Sequence, residues 1–188
     1  MFGSYQAEKT RQAAAVLFKA LNRSTLGRMQ LLKLLYIADR ESIRESGSPI
    51  TGDRPVAMDF GPVLSATYNC IKGEGEAAGA WGASFRNLNS RLLRLTHDPG
   101  TRLLSSFEVQ KLQDVANLYG HLTGPQLSEI THEFEEWLRN APHPGSAHPI
   151  SDRERLEAVG LGAHADEILS EAVEYARVSA VIATATEE

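Results

Sequence analysis

The residues of this chain most able to do chemistry are six histidines and one cysteine. His143 and His148 flank a loop rich in proline and glycine, while His121 and His132 lie eleven positions apart. Neither spacing matches the HExxH helix or a Cys/His finger, and one cysteine cannot build a cysteine cage. We therefore expect no metal site.

Nucleophilic and phosphate chemistry also lack their usual patterns. Cys70 lies beside Ile71 on the apolar face of a predicted helix, where thiols are usually buried and inert. No Gly-x-Ser-x-Gly elbow occurs. The segment Gly73-Glu74-Gly75-Glu76 lacks the Gly-Lys-Ser/Thr ending of a phosphate loop, and its carboxylates would repel phosphate. We expect no catalytic residue and no cofactor, so the chain is predicted not to be an enzyme.

The net charge of −5 is unevenly distributed along the chain. Residues 1–46 carry +4, residues 47–104 carry +1 and residues 105–188 carry −10. An acidic C-terminal half repels a phosphate backbone, so a nucleic-acid partner is disfavoured and a basic protein partner is favoured. The alternative is that these carboxylates only solvate the outer faces of helices.

One segment keeps a DNA-binding alternative open. Tyr119 to Thr131 reads as a helix, a glycine turn and a second helix, which is the order of a helix-turn-helix. A recognition helix needs base-edge donors and nearby phosphate contacts. Here Gln126 and Ser128 are followed by Glu129 and Glu133, so we interpret the pair as structural.

Length and composition favour one domain spanning residues 1–188. The single cysteine fits a reducing compartment. The N-terminus has no apolar signal region, and no run of about 18 apolar residues occurs. These features predict a cytoplasmic protein that does not enter a membrane.

Hydrophobic periodicity predicts a mainly α (α+β) fold with five to six helices and a small antiparallel sheet of two to three strands. The helices expected from apolar stripes and capping boxes are 6–22, 28–45, one opened by Gly61-Pro62, one after Ser105, one after Thr123 and one over 163–183. We expect Val56–Phe60 to pair with the strand-like residues 91–96. Residues 73–82 are expected to be flexible.

Asp39 is the most unusual residue of the second helix. It falls on the apolar stripe of Leu32, Leu35 and Tyr36, where an unpaired carboxylate would be costly. The rigid loop that follows the helix offers a partner, so we expect a hydrogen bond or an ion pair from Asp39 to this loop, with Arg54 as a candidate.

The segments around Asp39 resemble the Panacea domain of the SocA-like antitoxin family, which is also described among phage-associated proteins. The resembling blocks follow one another in family order over about residues 13–140. They are Leu31-Leu32-Lys33-Leu34-Leu35-Tyr36-Ile37-Ala38-Asp39-Arg40, Pro49-Ile50-Thr51-Gly52-Asp53-Arg54, Met58-Asp59-Phe60-Gly61-Pro62-Val63, Tyr68 with Ile71-Lys72-Gly73, Tyr119-Gly120-His121-Leu122-Thr123, and Leu127 to Glu133 with Trp137. Residues 73–89 and the tail beyond Pro149 lie outside these blocks, and the tail is a candidate for partner choice.

The resemblance implies an antitoxin that neutralises a cognate toxin by direct protein contact. Most of the shared residues then form scaffold, namely Leu32, Leu35, Tyr36, Gly52, Gly61, Pro62, His132 and Trp137. The candidates for partner binding are Asp39, Asp53, Arg54, Met58 and Tyr68. Two alternatives are an adaptor that delivers a partner to a protease and a helix-turn-helix-like regulator of transcription. The toxin and the oligomeric state are not specified by the sequence.

Overall fold

The helices form most of the fold. The structure is a computed structural model that describes residue 2 and residues 4–185. Its helices are α1 (Ala7–Ala20), α2 (Arg28–Ser46), α3 (Ser65–Lys72), α4 (Ala78–Gly82), α5 (Ser106–Tyr119), α6 (Gly124–His132), α7 (Glu135–Arg139), α8 (Asp152–Ala158) and α9 (Ala165–Ala185), with a 3₁₀ turn at Gly162–His164.

The fold class is confirmed as mainly α with small sheets, but the expected five to six helices are too few, since the described residues form nine. The additional helices are short. α4 has five residues and lies in the segment expected to be flexible, and α7 has five residues after a break at Glu133 and Phe134. Helices this short lack enough turns to show an apolar period, so pattern reading misses them.

Two sheets of three strands each replace the single sheet that was expected. The strands are β1 (Thr25–Gly27), β2 (Pro55–Met58), β3 (Gly61–Leu64), β4 (Phe85–Asn87), β5 (Leu92–Leu95) and β6 (His148–Pro149). One sheet has the order β1-β5-β4 and the other β3-β2-β6, with antiparallel pairing throughout.

The expected pairing of residues 56–60 with residues 91–96 is therefore wrong. β2 pairs with β3 through a two-residue turn at Asp59-Phe60, so that Met58 lies opposite Gly61. Closing so short a loop costs less entropy than joining segments more than thirty residues apart. The local hairpin therefore takes precedence.

Gly61 and Pro62 belong to β3, so the prediction that they open a helix is wrong. Gly61 has φ +92, which suits the residue after a tight turn. Pro62 lies opposite Ala57 on β3, an edge strand, where a residue without an N–H is tolerated. The helix that follows begins at Ser65.

Helix α2 lies at the centre of the core. Its run from Leu31 to Asp39 is buried without interruption, and the helix packs against α1, α5, α6 and α8. Helix α1 can approach its neighbours in the core closely, because it carries three consecutive buried alanines, Ala13, Ala14 and Ala15. Each buried leucine stabilises the fold by roughly 1.5–3 kcal/mol relative to an exposed one. A smaller cluster forms around Ile43, Leu156 and Ala165.

Two helices begin with a capping box, of which the one at α5 was predicted from the sequence. Ser105 with Glu108 and Ser151 with Glu154 form reciprocal capping boxes at α5 and α8. None of the helices that the structure describes is long and apolar enough to cross a bilayer.

Candidate functional site

Asp39 is fully buried and holds the loop that follows α2. Its carboxylate accepts hydrogen bonds from the Ile50 and Thr51 N–H groups, each at 3.0 Å, and from the Thr51 hydroxyl at 2.5 Å. The expected bond to this loop is thus present. The cation beside Asp39 is Arg155 of α8, at 3.5 Å, in place of the expected Arg54.

Burial raises the pKa of Asp39 to about 6, while Arg155 and the Thr51 bonds oppose that rise. The carboxylate is therefore mainly ionised at neutral pH. Because this buried, ionised carboxylate accepts hydrogen bonds from two backbone N–H groups of the loop, its role is to position that loop.

Asp53 caps α3 from the same loop. Its two carboxylate oxygens accept the N–H groups of Ala66 at 3.0 Å and Thr67 at 2.8 Å, together with the Thr67 hydroxyl at 2.7 Å. These N–H groups lie in the first turn of a helix, where they have no partner within the helix. Gly52, with φ +64, allows the turn that brings Asp53 there.

A second buried carboxylate joins α2 to α7. Glu136 accepts a hydrogen bond from the Tyr36 hydroxyl at 2.9 Å and one from Arg40 Nε at 3.0 Å. Burial, then the Glu136 charge, raises the pKa of Tyr36 well above its usual value, so this phenol stays a donor. The sequence interpretation overlooked Glu136, because α7 has only five residues and shows no apolar stripe that would mark a buried acid.

Side chains of α6 and α7 donate hydrogen bonds to the backbone of the turn between β2 and β3. Trp137 Nε1 donates to the Met58 carbonyl at 3.1 Å, and the Ser128 hydroxyl donates to the Phe60 carbonyl at 2.8 Å. The His132 ring stacks on Trp137 with centroids 4.1 Å apart. The Phe60 side chain remains 65% exposed. A rigid turn therefore presents an apolar side chain to the solvent.

Beside this turn lies a groove of about 1230 Å³. It is bounded by the first turns of α2, the β2–β3 turn, α3, the start of β5, the α5–α6 turn and the loop before β6. Its larger apolar lining residues include Met29, Leu32, Met58, Phe60, Val63, Tyr68, Ile71, Leu92 and Leu122.

The charged residues of the groove are mostly basic. Five Lys or Arg side chains line it against one carboxylate, Asp59. Both Asp59 oxygens accept the Gly145 N–H, at 2.9 and 3.1 Å, so this acid is bound to the loop before β6. The basic residues are Arg23, Arg28, Lys33, Lys72 and Arg91.

Lys33 lies at the base of the groove with only 1% of its surface exposed. Its ammonium donates one hydrogen bond, to the Pro62 carbonyl at 2.8 Å, and makes no ion pair with any described residue. Burial lowers the pKa of Lys33 from 10.5 to about 7. Burial, and then the nearby Lys33 charge, lowers the pKa of His132.

Replacing Lys33 with methionine is expected to remove a pH dependence of stability. Native Lys33 has a pKa of about 7, whereas an unfolded lysine titrates near about 10.4. Between these values the unfolded chain binds the extra proton, so wild-type stability rises with pH, by at most about 1.4 kcal/mol per pH unit. Urea unfolding from about pH 7.5 to 9.5 measures this rise.

The matched control for Lys33→Met is Lys19→Met, because Lys19 is an exposed surface lysine whose ammonium pairs with exposed Asp98 at 2.9 Å. The Lys19→Met protein should keep the wild-type slope. Equal slopes for wild type and Lys33→Met would contradict the assignment.

The partner-binding candidates occupy different places in the structure. Met58 and Tyr68 line the groove, while Asp39 and Asp53 are buried and are not among its lining residues. Arg54 is exposed, and its carbonyl accepts the Ser65 N–H at 3.1 Å.

The sequence interpretation missed Lys33 and Arg28 as site residues. The available signal was a lysine inside the otherwise apolar run Leu31–Leu35. No local signal marks Arg28, because its role depends on what packs beside it.

The other sequence hypotheses also have defined positions. α5 and α6 form the expected helix pair, with Glu129 exposed on α6 and Glu133 exposed directly after it. The His143 and His148 rings are 6.5 Å apart. Within the described ranges, no three His, Cys, Asp or Glu residues are grouped so that they could hold a metal ion.

Comparison with known proteins supports the motif blocks. A family model described as antitoxin SocA-like, Panacea domain, matches residues 31–138, which is more than half of the chain. The match begins in α2 and ends in α7, and it includes most of the groove. No curated protein and no solved structure matches the chain.

Proposed function

Because the chain belongs to the SocA-like antitoxin family with a Panacea domain, we propose that it is the antitoxin of a bacterial or phage toxin–antitoxin pair. It acts without catalysis, by binding its cognate toxin directly. Its place of action is the cytoplasm, and residues 1–188 act as one domain.

The groove is the observation that supports direct binding most strongly. Monomeric proteins rarely expose large contiguous apolar patches unless these receive a ligand or a partner. Here exposed Phe60 and half-buried Met58, Tyr68 and Met29 line one depression. Aromatic residues and methionine are enriched in protein interfaces. The toxin therefore docks in the groove and around the Phe60 turn.

Co-expression with the product of the adjacent gene tests the proposed function. That product should arrest growth alone and be harmless beside this protein. A product that is harmless alone, or that remains toxic beside this protein, would refute the proposal. Shortening of the toxin's half-life in the presence of this protein would instead support the protease-adaptor alternative.

Replacing Phe60 with aspartate is expected to weaken toxin binding about 30-fold or more, since an aromatic residue at the centre of an interface contributes roughly 2–4 kcal/mol. Because the side chain is exposed, the variant should keep wild-type thermal stability. Isothermal titration with the purified toxin measures the loss.

The control for Phe60→Asp is Leu118→Asp. Leu118 is 62% exposed, close to the 65% of Phe60, but it lies on α5 outside the groove. It should bind the toxin as the wild type does. Equal weakening by both substitutions would show that the Phe60 turn is not the docking site.

A further inference from the structure

We infer that the groove receives an acidic amphipathic segment of the toxin, whose apolar side chains lie on the groove floor and whose carboxylates reach Arg28, Lys33 and Arg91. This inference rests on the proposed function and adds the chemistry of the partner. It also differs from the sequence expectation of a basic partner, which came from the acidic C-terminal half.

Four of the five cations of the groove have no carboxylate partner among the described residues. Arg23, Arg28, Lys33 and Arg91 make no ion pair with any residue in the described part of the chain, although many other Lys and Arg residues do. Lys72 is the exception, with Glu74 at 2.9 Å. The positive charge of the groove is therefore not neutralised by neighbouring carboxylates.

Two of these cations are also incompletely hydrogen-bonded. Arg28 Nε is buried and has no partner among the described residues. In its protonated form Lys33 has three N–H donors and uses one, on the Pro62 carbonyl. Buried donors are usually satisfied, so unused ones at the base of a groove indicate an acceptor supplied by a ligand. A carboxylate accepts several such bonds and also supplies the missing charge.

The remaining lining identifies the class of partner. Leu32, Val63, Ile71 and Leu122 provide an apolar floor, which fits apolar side chains. The groove volume of about 1230 Å³ exceeds the roughly 300–1,000 Å³ of typical small-molecule pockets, which favours a segment of a macromolecule.

Electrostatics outside the groove disfavour nucleic acid as that macromolecule. The chain carries −5 overall, exposed Glu129 lies on α6, the helix whose first residues line the groove, and exposed Glu133 directly follows that helix. A long phosphate backbone would be repelled beyond the groove, whereas a short acidic segment of a protein would not. The combined pattern is specific for a protein segment with both carboxylates and apolar side chains.

Charge reversal at Arg91 tests the inference, with the whole chain and the purified toxin encoded beside it. Arg91 is exposed, so Arg91→Glu should fold normally. We expect at least about 10-fold weaker binding at about 50 mM salt and a smaller loss at about 300 mM, because salt screens exposed charges. Arg102→Glu, the same change at an exposed position outside the groove, should stay within about 2-fold of wild type.

A second variant separates charge loss from charge reversal. Lys33→Met removes the ammonium but keeps an apolar side chain of similar length, and its folding is checked by thermal unfolding. It should weaken toxin binding about 10-fold or more, as expected for loss of a buried charged hydrogen bond. A toxin variant that carries lysine in place of the acidic residue that contacts Arg91 should bind the Arg91→Glu protein more tightly than it binds the wild-type antitoxin.

The outcomes distinguish the two proposals. A wild-type protein that neither binds nor neutralises the toxin overturns both. A wild type that neutralises the toxin, with Arg91→Glu and Lys33→Met binding as tightly as wild type, overturns the acidic segment and leaves the antitoxin function standing. If the protein binds a mixed-sequence single-stranded RNA or duplex DNA at physiological salt, and Arg91→Glu abolishes this binding, the inferred acidic protein segment is overturned in favour of nucleic acid.

Discussion

Replacing Asp39 with alanine is expected to lower the free energy of unfolding by about 3–5 kcal/mol, the usual loss when one partner of a buried ion pair is removed. The substitution leaves Arg155 without its buried counter-charge and the Ile50 and Thr51 N–H groups without their acceptor. Each buried N–H without a partner costs about 1–3 kcal/mol. Urea unfolding measures the loss.

Two further substitutions provide an intermediate case and a control for Asp39→Ala. Asp39→Asn keeps one acceptor oxygen but loses the charge beside Arg155, so we expect a loss between wild type and Asp39→Ala. Asp166→Ala removes an exposed carboxylate, since the Asp166 side chain is 88% exposed, and should change stability by less than about 1 kcal/mol. An Asp39→Ala protein with wild-type stability that no longer binds the toxin would place Asp39 in the binding face and contradict its structural role.

Replacing Gly61 with alanine is expected to lower the free energy of unfolding by about 2–4 kcal/mol. The φ of +92 alone costs a residue with a Cβ roughly 1–2 kcal/mol. A Cβ at this position would also lie 2.6 Å from Thr131 Oγ1 and 2.7 Å from Lys33 Nζ, which adds the cost of overpacking. Because Lys33 must move, toxin affinity should fall as well.

Gly75→Ala is the matched control for Gly61→Ala. Gly75 has a similar φ of +84, but no atom lies within 4 Å of an added Cβ. Its loss should therefore be limited to the backbone cost of about 1–2 kcal/mol. Equal losses at the two glycines, measured by thermal unfolding, would show that the contact with Lys33 and Thr131 does not constrain the β2–β3 turn.

Local interactions explain which parts of the fold the sequence predicted. A capping box such as Ser105 with Glu108 uses residues three positions apart, and the core stripe of α2 repeats every three to four residues. The carboxylate of Asp39 was recognisable as unusual for the same reason, since its neighbours on the stripe are apolar. Such signals are complete within one helix.

The errors came from pairings between distant segments. β-strand patterns show that a segment is extended but not which strand it meets, so the choice between β3 and β5 as the partner of β2 could not be made from the pattern. Pro62 also fits the first turn of a helix as well as it fits an edge strand. The backbone hydrogen bonds of the β2–β3 hairpin decided between these two environments.

By itself the sequence determined the family, the mainly helical class, the longest helices and a buried Asp39 tied to its loop. It could do so because these features depend on residue order and short-range spacing. Only the tertiary structure decided that Arg155 accompanies Asp39 and that Arg28, Lys33 and Arg91 meet at one apolar groove. These residues are far apart in the chain or unremarkable in their own segments. The sequence could not identify them, because the charge partners and the desolvation of a side chain depend on which surfaces pack together.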